Sequence, residues 1–288
     1  MHFTVVLAGI GVSLIFGLSF LFTKNALDFI PPMTLLSYRF LVAFIFFAIL
    51  LAFRVIRIER KPYWKLWKLV LFQPILYFIF EAYGVQRIKS AEAGMIIALI
   101  PIVVNVLAVF ILKEKADFLH YLLVVLGFVG VIFIVGVDLS LDNILGKILM
   151  LLAVLSAGFY TVLSRKLIRQ FTAEQITFFM MLTGFLFFAT ITIARGEMNF
   201  FFNLQTLISV LYLGILSSAV AFFLLNYMVK RASPTLTTLF SNFTTVVSVV
   251  AGVIFRDETV KVQQVVGMAF ILVSLLLATL RKKKVSNN

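Results

Sequence analysis

Residues 83–114, reading YGVQRIKSAEAGMIIALIPIVVNVLAVFILKE, lie without a gap over residues 227–258, YMVKRASPTLTTLFSNFTTVVSVVAGVIFRDE. Tyr83 falls on Tyr227, Val85 on Val229, Arg87 on Arg231 and Glu114 on Glu258. Val103, Val106 and Val109 fall on Val247, Val250 and Val253. Each copy passes from a basic turn through a long apolar run to an acidic end. A sequence written twice folds into two related units, and the number of membrane crossings per unit sets their relative orientation. An odd number turns the second copy upside down. Inverted repeats of this kind are characteristic of secondary transporters, whose solute sites lie between the halves near the bilayer midplane.

The apolar runs supply that odd number. The chain has 288 residues, 62% of them hydrophobic and 13% charged, whereas a soluble domain has closer to half apolar and about a quarter charged. Runs near the 20 residues needed to cross hydrocarbon fall at roughly 3–23, 33–53, 67–86, 93–112, 119–137, 145–164, 175–194, 207–228, 235–255 and 262–280. They are too long for strands, and a helix satisfies its own backbone where no water is present. The expected fold is an all-α integral membrane protein of ten transmembrane helices, built as two inverted five-helix repeats. Residues 1–138 form the first and residues 139–288 the second, which ends in a basic cytoplasmic tail. The first run lacks a basic leader and a small-residue cleavage site, so it is expected to stay as a helix.

Charge fixes the orientation. With the spans alternating, 17 of the 25 Lys and Arg fall on one face, among them Arg54, Arg57, Arg60, Lys61, Lys113, Arg165, Lys230 and Arg281, against seven on the other and Arg39 inside a span. The positive-inside bias puts the rich face in the cytoplasm, which predicts a multi-pass protein of the plasma membrane with both termini cytoplasmic. The net charge of +13 then meets anionic headgroups, and charges scattered through short loops argue against a nucleic-acid partner. The absence of cysteine excludes disulfides and thiol chemistry. The two histidines are far apart, no Walker loop is present, and no cluster of acids suits a metal, so neither cofactor, metal nor catalytic group is expected.

Polar groups inside a bilayer are costly unless they face a cavity or one another, and this singles out a short set of residues. Gln73, Tyr77 and Glu81 recur every four residues in the third span and share one helical face. Such a stripe either lines a cavity or binds a neighbouring helix. Arg39 lies about six residues inside the second span, roughly 9 Å deep at 1.5 Å per residue, and Glu81 lies at a similar depth in the third. The two suit either a structural ion pair or a solute-carboxylate anchor beside a protonatable group. Thr237, Ser241, Thr244 and Ser248 follow helical spacing in the ninth span, with Asn242 and Thr245 one step around, although hydroxyls also bond back to their own helix. Asn105 and Asn226 add amides in the fourth and eighth spans, and Tyr160 is placed to cap the cavity. Pro74 and Pro101 each remove a helical hydrogen bond and are the expected bend points for gating.

The run Pro32-Met33-Thr34-Leu35-Leu36-Ser37-Tyr38-Arg39-Phe40-Leu41-Val42-Ala43 resembles the second helix of EamA-type permeases of the drug/metabolite transporter superfamily. Ala91 to Glu114 with Pro101, then Gly127 and Gly130, resemble the fourth and fifth helices. Tyr227, Pro234, Gly252, Glu258 and Gly267 fit the second repeat. Thr245 stands where the first copy has Pro101, so a proline bend is expected in one half alone. The resemblance implies a secondary transporter but leaves the substrate open, because the family includes exporters of amino acids, nucleobases, drugs and other metabolites. With the polar residues above and no ATP-binding loop, the expected function is a secondary, non-ATP exporter of small polar metabolites such as amino acids, working by alternating access, with Glu81 as the group that makes protons the candidate coupling ion. The resemblance also keeps Arg39 among the site residues. A carrier or flippase of amphipathic or lipid-linked molecules or drugs is the alternative, and an integral enzyme or receptor lacks the acids it would need. The topology predicts that a reporter fused after Asn288 is active in the cytoplasm; activity confined to the outside would contradict it.

Overall fold

The computed structural model describes residues 3–112, 118–136, 140–167, 170–198, 203–231 and 234–286. These form ten helices and no strand. They are α1 (Phe3–Leu27), α2 (Pro32–Ala52), α3 (Tyr63–Arg87), α4 (Ser90–Ile97 continued by Ile100–Leu112) and α5 (Phe118–Val135). After them come α6 (Leu141–Leu167), α7 (Ala173–Ala194), α8 (Leu204–Leu211, Tyr212–Val220 and Ala221–Arg231 in succession), α9 (Pro234–Arg256) and α10 (Val262–Ser286). Seven of them, α1 to α4 and α6 to α8, are long and apolar enough to cross a membrane, and shorter apolar stretches lie in α5, α9 and α10. The chain is an all-α membrane protein.

Local chemistry sets the helix ends. Pro31 is extended and Pro32 takes the first position of α2, where its missing N–H is not needed. Thr172 and Gln175 form a reciprocal capping box at α7, and Asn203 accepts from the Thr206 N–H at 2.7 Å to start α8. Three helices depart from regularity. In α8, residues Tyr212–Val220 widen into a π segment. In α3 the helix kinks within Leu71–Leu76, where Gln73, just before Pro74, is non-helical at φ −150°, ψ 118°. In α4 the helix breaks between Ile97 and Ile100, where the Pro101 ring would collide with the carbonyl four residues back. The equivalent helix α9 carries Thr245 and runs unbroken. The third span starts at Tyr63, four residues earlier than its apolar run suggests, because Tyr63–Leu66 form a 3₁₀ turn that leads into the helix.

Helix pairing follows the repeat. α1 packs on α9 and α4 on α6; α3 packs on α6 and α8 on α1; α2 packs on α7, α4 on α9 and α5 on α10. Exchanging helix n with helix n+5 interchanges the first two of these pairings and likewise the next two, and returns the last three to themselves, the pattern a two-fold relation between the halves generates. The contacts themselves echo it: Val103 of α4 fills the space over Gly158 of α6, and its repeat partner Val247 of α9 fills the space over Gly17 of α1. Ser13 adds a 2.7 Å hydrogen bond from α1 to the Phe240 carbonyl. The two halves are interdigitated, and one core of apolar side chains runs through both.

One end of the bundle is tied by polar groups. Lys24 of α1 donates to the Val85 and Gln86 carbonyls at the end of α3, at 2.9 and 2.8 Å. Arg256 at the end of α9 reaches Asn25 and, at 2.9 Å, Asp28. Glu258 accepts from the Ser90 and Ala91 N–H groups at 2.9 and 2.8 Å and so caps the positive N-terminus of α4. Lys147 of α6, fully buried, pairs with Glu92 of α4 at 3.2 Å and donates to the Val135 carbonyl of α5 at 2.8 Å. At the α5–α10 crossing, Gly130 faces Gly267 so closely that a methyl group on Gly130 would lie 2.5 Å from the Gly267 carbonyl oxygen. Backbone cannot yield as a side chain does. Gly130→Val should therefore lower the thermal midpoint in detergent through overpacking worth about 1–3 kcal/mol, whereas Gly11→Ala, with its nearest neighbour 3.6 Å away, should leave it unchanged.

Candidate solute site

A buried arginine organises the candidate site. Arg39 of α2 is 2% exposed and meets two other helices. From α8 it takes the paired hydroxyls of Ser217 and Ser218: Nη2 donates to Ser217 Oγ at 2.9 Å and Nε donates to Ser218 Oγ at 2.8 Å. Toward α3, its Nη1 lies 3.7 Å from Glu81 Oε2, and its guanidinium plane sits 4.3 Å from the centre of the Phe78 ring, a cation–π contact. Tyr77 and Tyr212 are near enough to act on it electrostatically. The similar depth of Arg39 and Glu81 in neighbouring spans thus does bring them together.

Glu81 is as buried as its partner, at 2%, but its Oε2 accepts no hydrogen bond. At 3.7 Å the ion pair is longer than a charge-assisted hydrogen bond. Among the described residues, Oε2 is held to Arg39 by Coulomb attraction rather than by a hydrogen bond. Gln73 and Tyr77 are also buried in α3, one before and one after the turn at Pro74.

A second polar cluster lies elsewhere on α8. Asn226, 1% exposed, donates to Thr177 Oγ1 of α7 at 3.0 Å and accepts from the Tyr160 hydroxyl of α6 at 3.2 Å. Asn226 is eight residues beyond Ser218, roughly 12 Å along the axis, and Phe222 fills the space between, against Phe78 at 6.0 Å and Phe16 at 5.3 Å. Among the described residues the two clusters form separate hydrogen-bonded groups. Tyr160 and Asn226 satisfy each other, as helix-joining groups do.

The remaining expected residues divide. Asn105 is half-buried in α4 without a hydrogen bond among the described residues. Thr244 bonds back to its own helix at the Phe240 carbonyl, 3.3 Å away, the local pairing its spacing also allowed. Ser248 spends its hydroxyl on the Ser90 carbonyl at 3.2 Å. Ser241 and Asn242 lie on α9 with side chains outside the described residues, as Thr237 does; Glu114 and Asp138 also lie outside them. Pro74 and Pro101 each stand beside a break in their helix.

Ser217 and Ser218 are absent from the sequence-based set, and the repeat holds the signal that finds them. The offset that puts Tyr83 on Tyr227 also puts Gln73 on Ser217 and Pro74 on Ser218. Both pairs lie where their helix is irregular: the first copy kinks at Gln73, before Pro74, and the second widens into the π segment Tyr212–Val220 without a proline, a rare form that concentrates at functional positions.

The chain matches the EamA-like transporter family over residues 3–136 and again over residues 144–280, and it belongs to that family. An uncharacterized transporter of Bacillus subtilis (strain 168), YcxC, is 32% identical over 291 residues, spanning 96% of this chain and 93% of that one. An uncharacterized transporter of Archaeoglobus fulgidus is 26% identical over 271 residues, spanning 92% and 95%. A crystal structure at 20% identity superposes with a TM-score of 0.73 over 98% of both chains, which shows the same fold. The protein is a multi-pass membrane transporter, not an enzyme, and its partners are a small-molecule solute and the bilayer.

If Arg39 and Glu81 neutralise each other, removing one leaves the other stranded at a cost of about 3–5 kcal/mol. Arg39→Met should therefore lower the thermal midpoint in detergent strongly. Arg39→Met with Glu81→Gln should recover much of the loss, and additive losses in the double variant would show that the two act independently.

Proposed function

We propose that this member of the family is a secondary, non-ATP carrier that exports small carboxylate-bearing polar metabolites, such as amino acids, by alternating access. The observation that carries the reading is the buried Arg39–Glu81 pair, 3.7 Å apart at the junction of α2, α3 and α8, with Glu81 Oε2 free of hydrogen bonds. A structural ion pair gains by closing to hydrogen-bond distance; a pair that must exchange partners during a cycle is better left loose. Arg39 takes the solute carboxylate, and Glu81 takes a proton when Arg39 is occupied elsewhere. Flux is thereby coupled to the proton gradient.

The halves, residues 1–138 and 139–288, act as the two inverted repeats, with the site between them and both termini in the cytoplasm of a plasma-membrane protein. The exchange of helix n with helix n+5 in the packing supports this, as does the family match falling once on each half. The tied end of the bundle, where Lys24, Arg256 and Glu258 hold α1, α3, α4 and α9 together, is the closed outer gate. Rocking one half against the other breaks those contacts and opens the site outward. Pro74 and Pro101, beside the breaks in α3 and α4, give the bundle bends at which this motion is absorbed.

Metabolite profiling of cells with and without the protein selects the solute, and proteoliposomes with and without a pH gradient then test the assignment. Glu81→Gln should abolish the response to the gradient and leave solute exchange intact, whereas Arg39→Gln should lose transport of the carboxylate-bearing solute. Unchanged transport and unchanged pH response in both variants would reduce the pair to a structural element.

A further inference from the structure

We propose that Ser217 and Ser218 hold the place of a solute carboxylate on Arg39 and are displaced from it when the solute binds. This inference rests on the reading of Arg39 as the solute anchor and names the residues that regulate it. The two nitrogens engaged by the serines, Nε and Nη2, form one edge of the guanidinium, a planar fork that matches the two oxygens of a carboxylate. Here two hydroxyl oxygens occupy that edge at 2.8 and 2.9 Å. Nη1 is left facing Glu81 across 3.7 Å.

The placement depends on an irregular backbone. Neighbouring side chains on an α-helix diverge by about 100°, given 3.6 residues per turn, so consecutive serines do not ordinarily meet one guanidinium. The π segment Tyr212–Val220 delivers both to the same edge. Both serines are fully buried and, among the described residues, make no other side-chain hydrogen bond, so Arg39 is their partner. A bare guanidinium edge at this depth would be stranded without them. A carboxylate that arrives takes over the edge, and the serines, each with a hydroxyl hydrogen to donate and a helix free to shift, move away with α8. Solute binding is thereby tied to movement of α8 relative to α2, across the boundary between the two halves. Gly214 fixes the same boundary one turn earlier, where α8 crosses α2 so closely that a methyl group would lie 2.9 Å from the Arg39 carbonyl oxygen.

The competition has a sign that a structural role does not share. Removing the hydroxyls takes away the internal competitor for the Arg39 edge, so a carboxylate binds more tightly, and a ligand without a carboxylate gains nothing. The purified full-length protein in detergent is titrated with the proteinogenic L-amino acids, and then with the primary amides of those that bind. Ser217→Ala with Ser218→Ala should lower the Kd of the acids about tenfold, the effect of one hydrogen bond to a charged group, and leave the amides unchanged. Each single variant should shift the acids in the same direction by a smaller factor, which keeps the test open should the double variant fail to fold. In proteoliposomes the KM of the acid should fall together with the maximal rate, because the serines no longer help the solute leave. Acid affinity that is unchanged or weaker in the serine variants, while Arg39→Gln abolishes acid binding, overturns the placeholder role alone. A wild-type protein that binds none of the acids, or an Arg39→Gln protein that binds them undiminished, overturns the reading of the site and the inference with it.

Discussion

An arginine with its head in the middle of a helix bundle has to be met on every side by groups that compensate it. Isolated, it would cost about 2.5–3.5 kcal/mol on the insertion scale, and the arrangement of three helices here answers that demand. α2 delivers Arg39, α3 delivers the opposite charge and the face of Phe78, and α8 delivers two hydroxyls. Two of the three site helices are irregular. α3 is kinked at Gln73, two turns before Glu81, and the π segment of α8 carries Ser217 and Ser218. A regular helix at either place would aim those side chains elsewhere.

The repeat explains why such a site has two unequal walls. In both halves the third helix is irregular at the same position of the sequence match, but the first is kinked there at Gln73-Pro74 and carries a carboxylate two turns on, while the second is widened, carries two serines and has an apolar Leu225 where the first has Glu81. A symmetric scaffold thus presents one charged wall and one hydroxyl wall to a single arginine. Elsewhere symmetry is kept where packing alone is at stake, as with Val103 over Gly158 and Val247 over Gly17. The polar ties differ again: Glu258, on the loop that follows α9, caps the start of α4, joining the end of one copy to the start of its counterpart in the other.

Much of the helix layout was legible because hydrocarbon imposes two requirements that leave marks in a sequence, apolar runs of sufficient length and an expensive charge inside them. Those marks located the spans and brought Arg39 and Glu81 together from their depths alone. Less visible were features that cost little to encode. A serine in a membrane helix is common and usually bonds to its own backbone, as Thr244 does, so Ser217 and Ser218 carry no signal until the repeat lines them up with Gln73 and Pro74. The π widening of α8 has no proline to announce it. Asn226 and Tyr160 read as cavity-lining groups because an amide and a phenol in a bilayer need partners; that these partners are each other and Thr177 depends on how α6, α7 and α8 rotate, which periodicity does not specify.

Alternating access requires the space around Arg39 to open to one side of the membrane and then to the other. The chain contains no cysteine, so Ser217→Cys introduces a single reactive thiol against Arg39, where Ser217 Oγ lies 2.9 Å from Nη2, without any further substitution. Labelling with a membrane-impermeant maleimide in sealed vesicles of known orientation measures its exposure from each side. Reaction from both sides, slowed when the transported solute is present, is expected. A thiol at residue 217 that reacts from one side alone under every solute and pH condition would show that no such opening occurs.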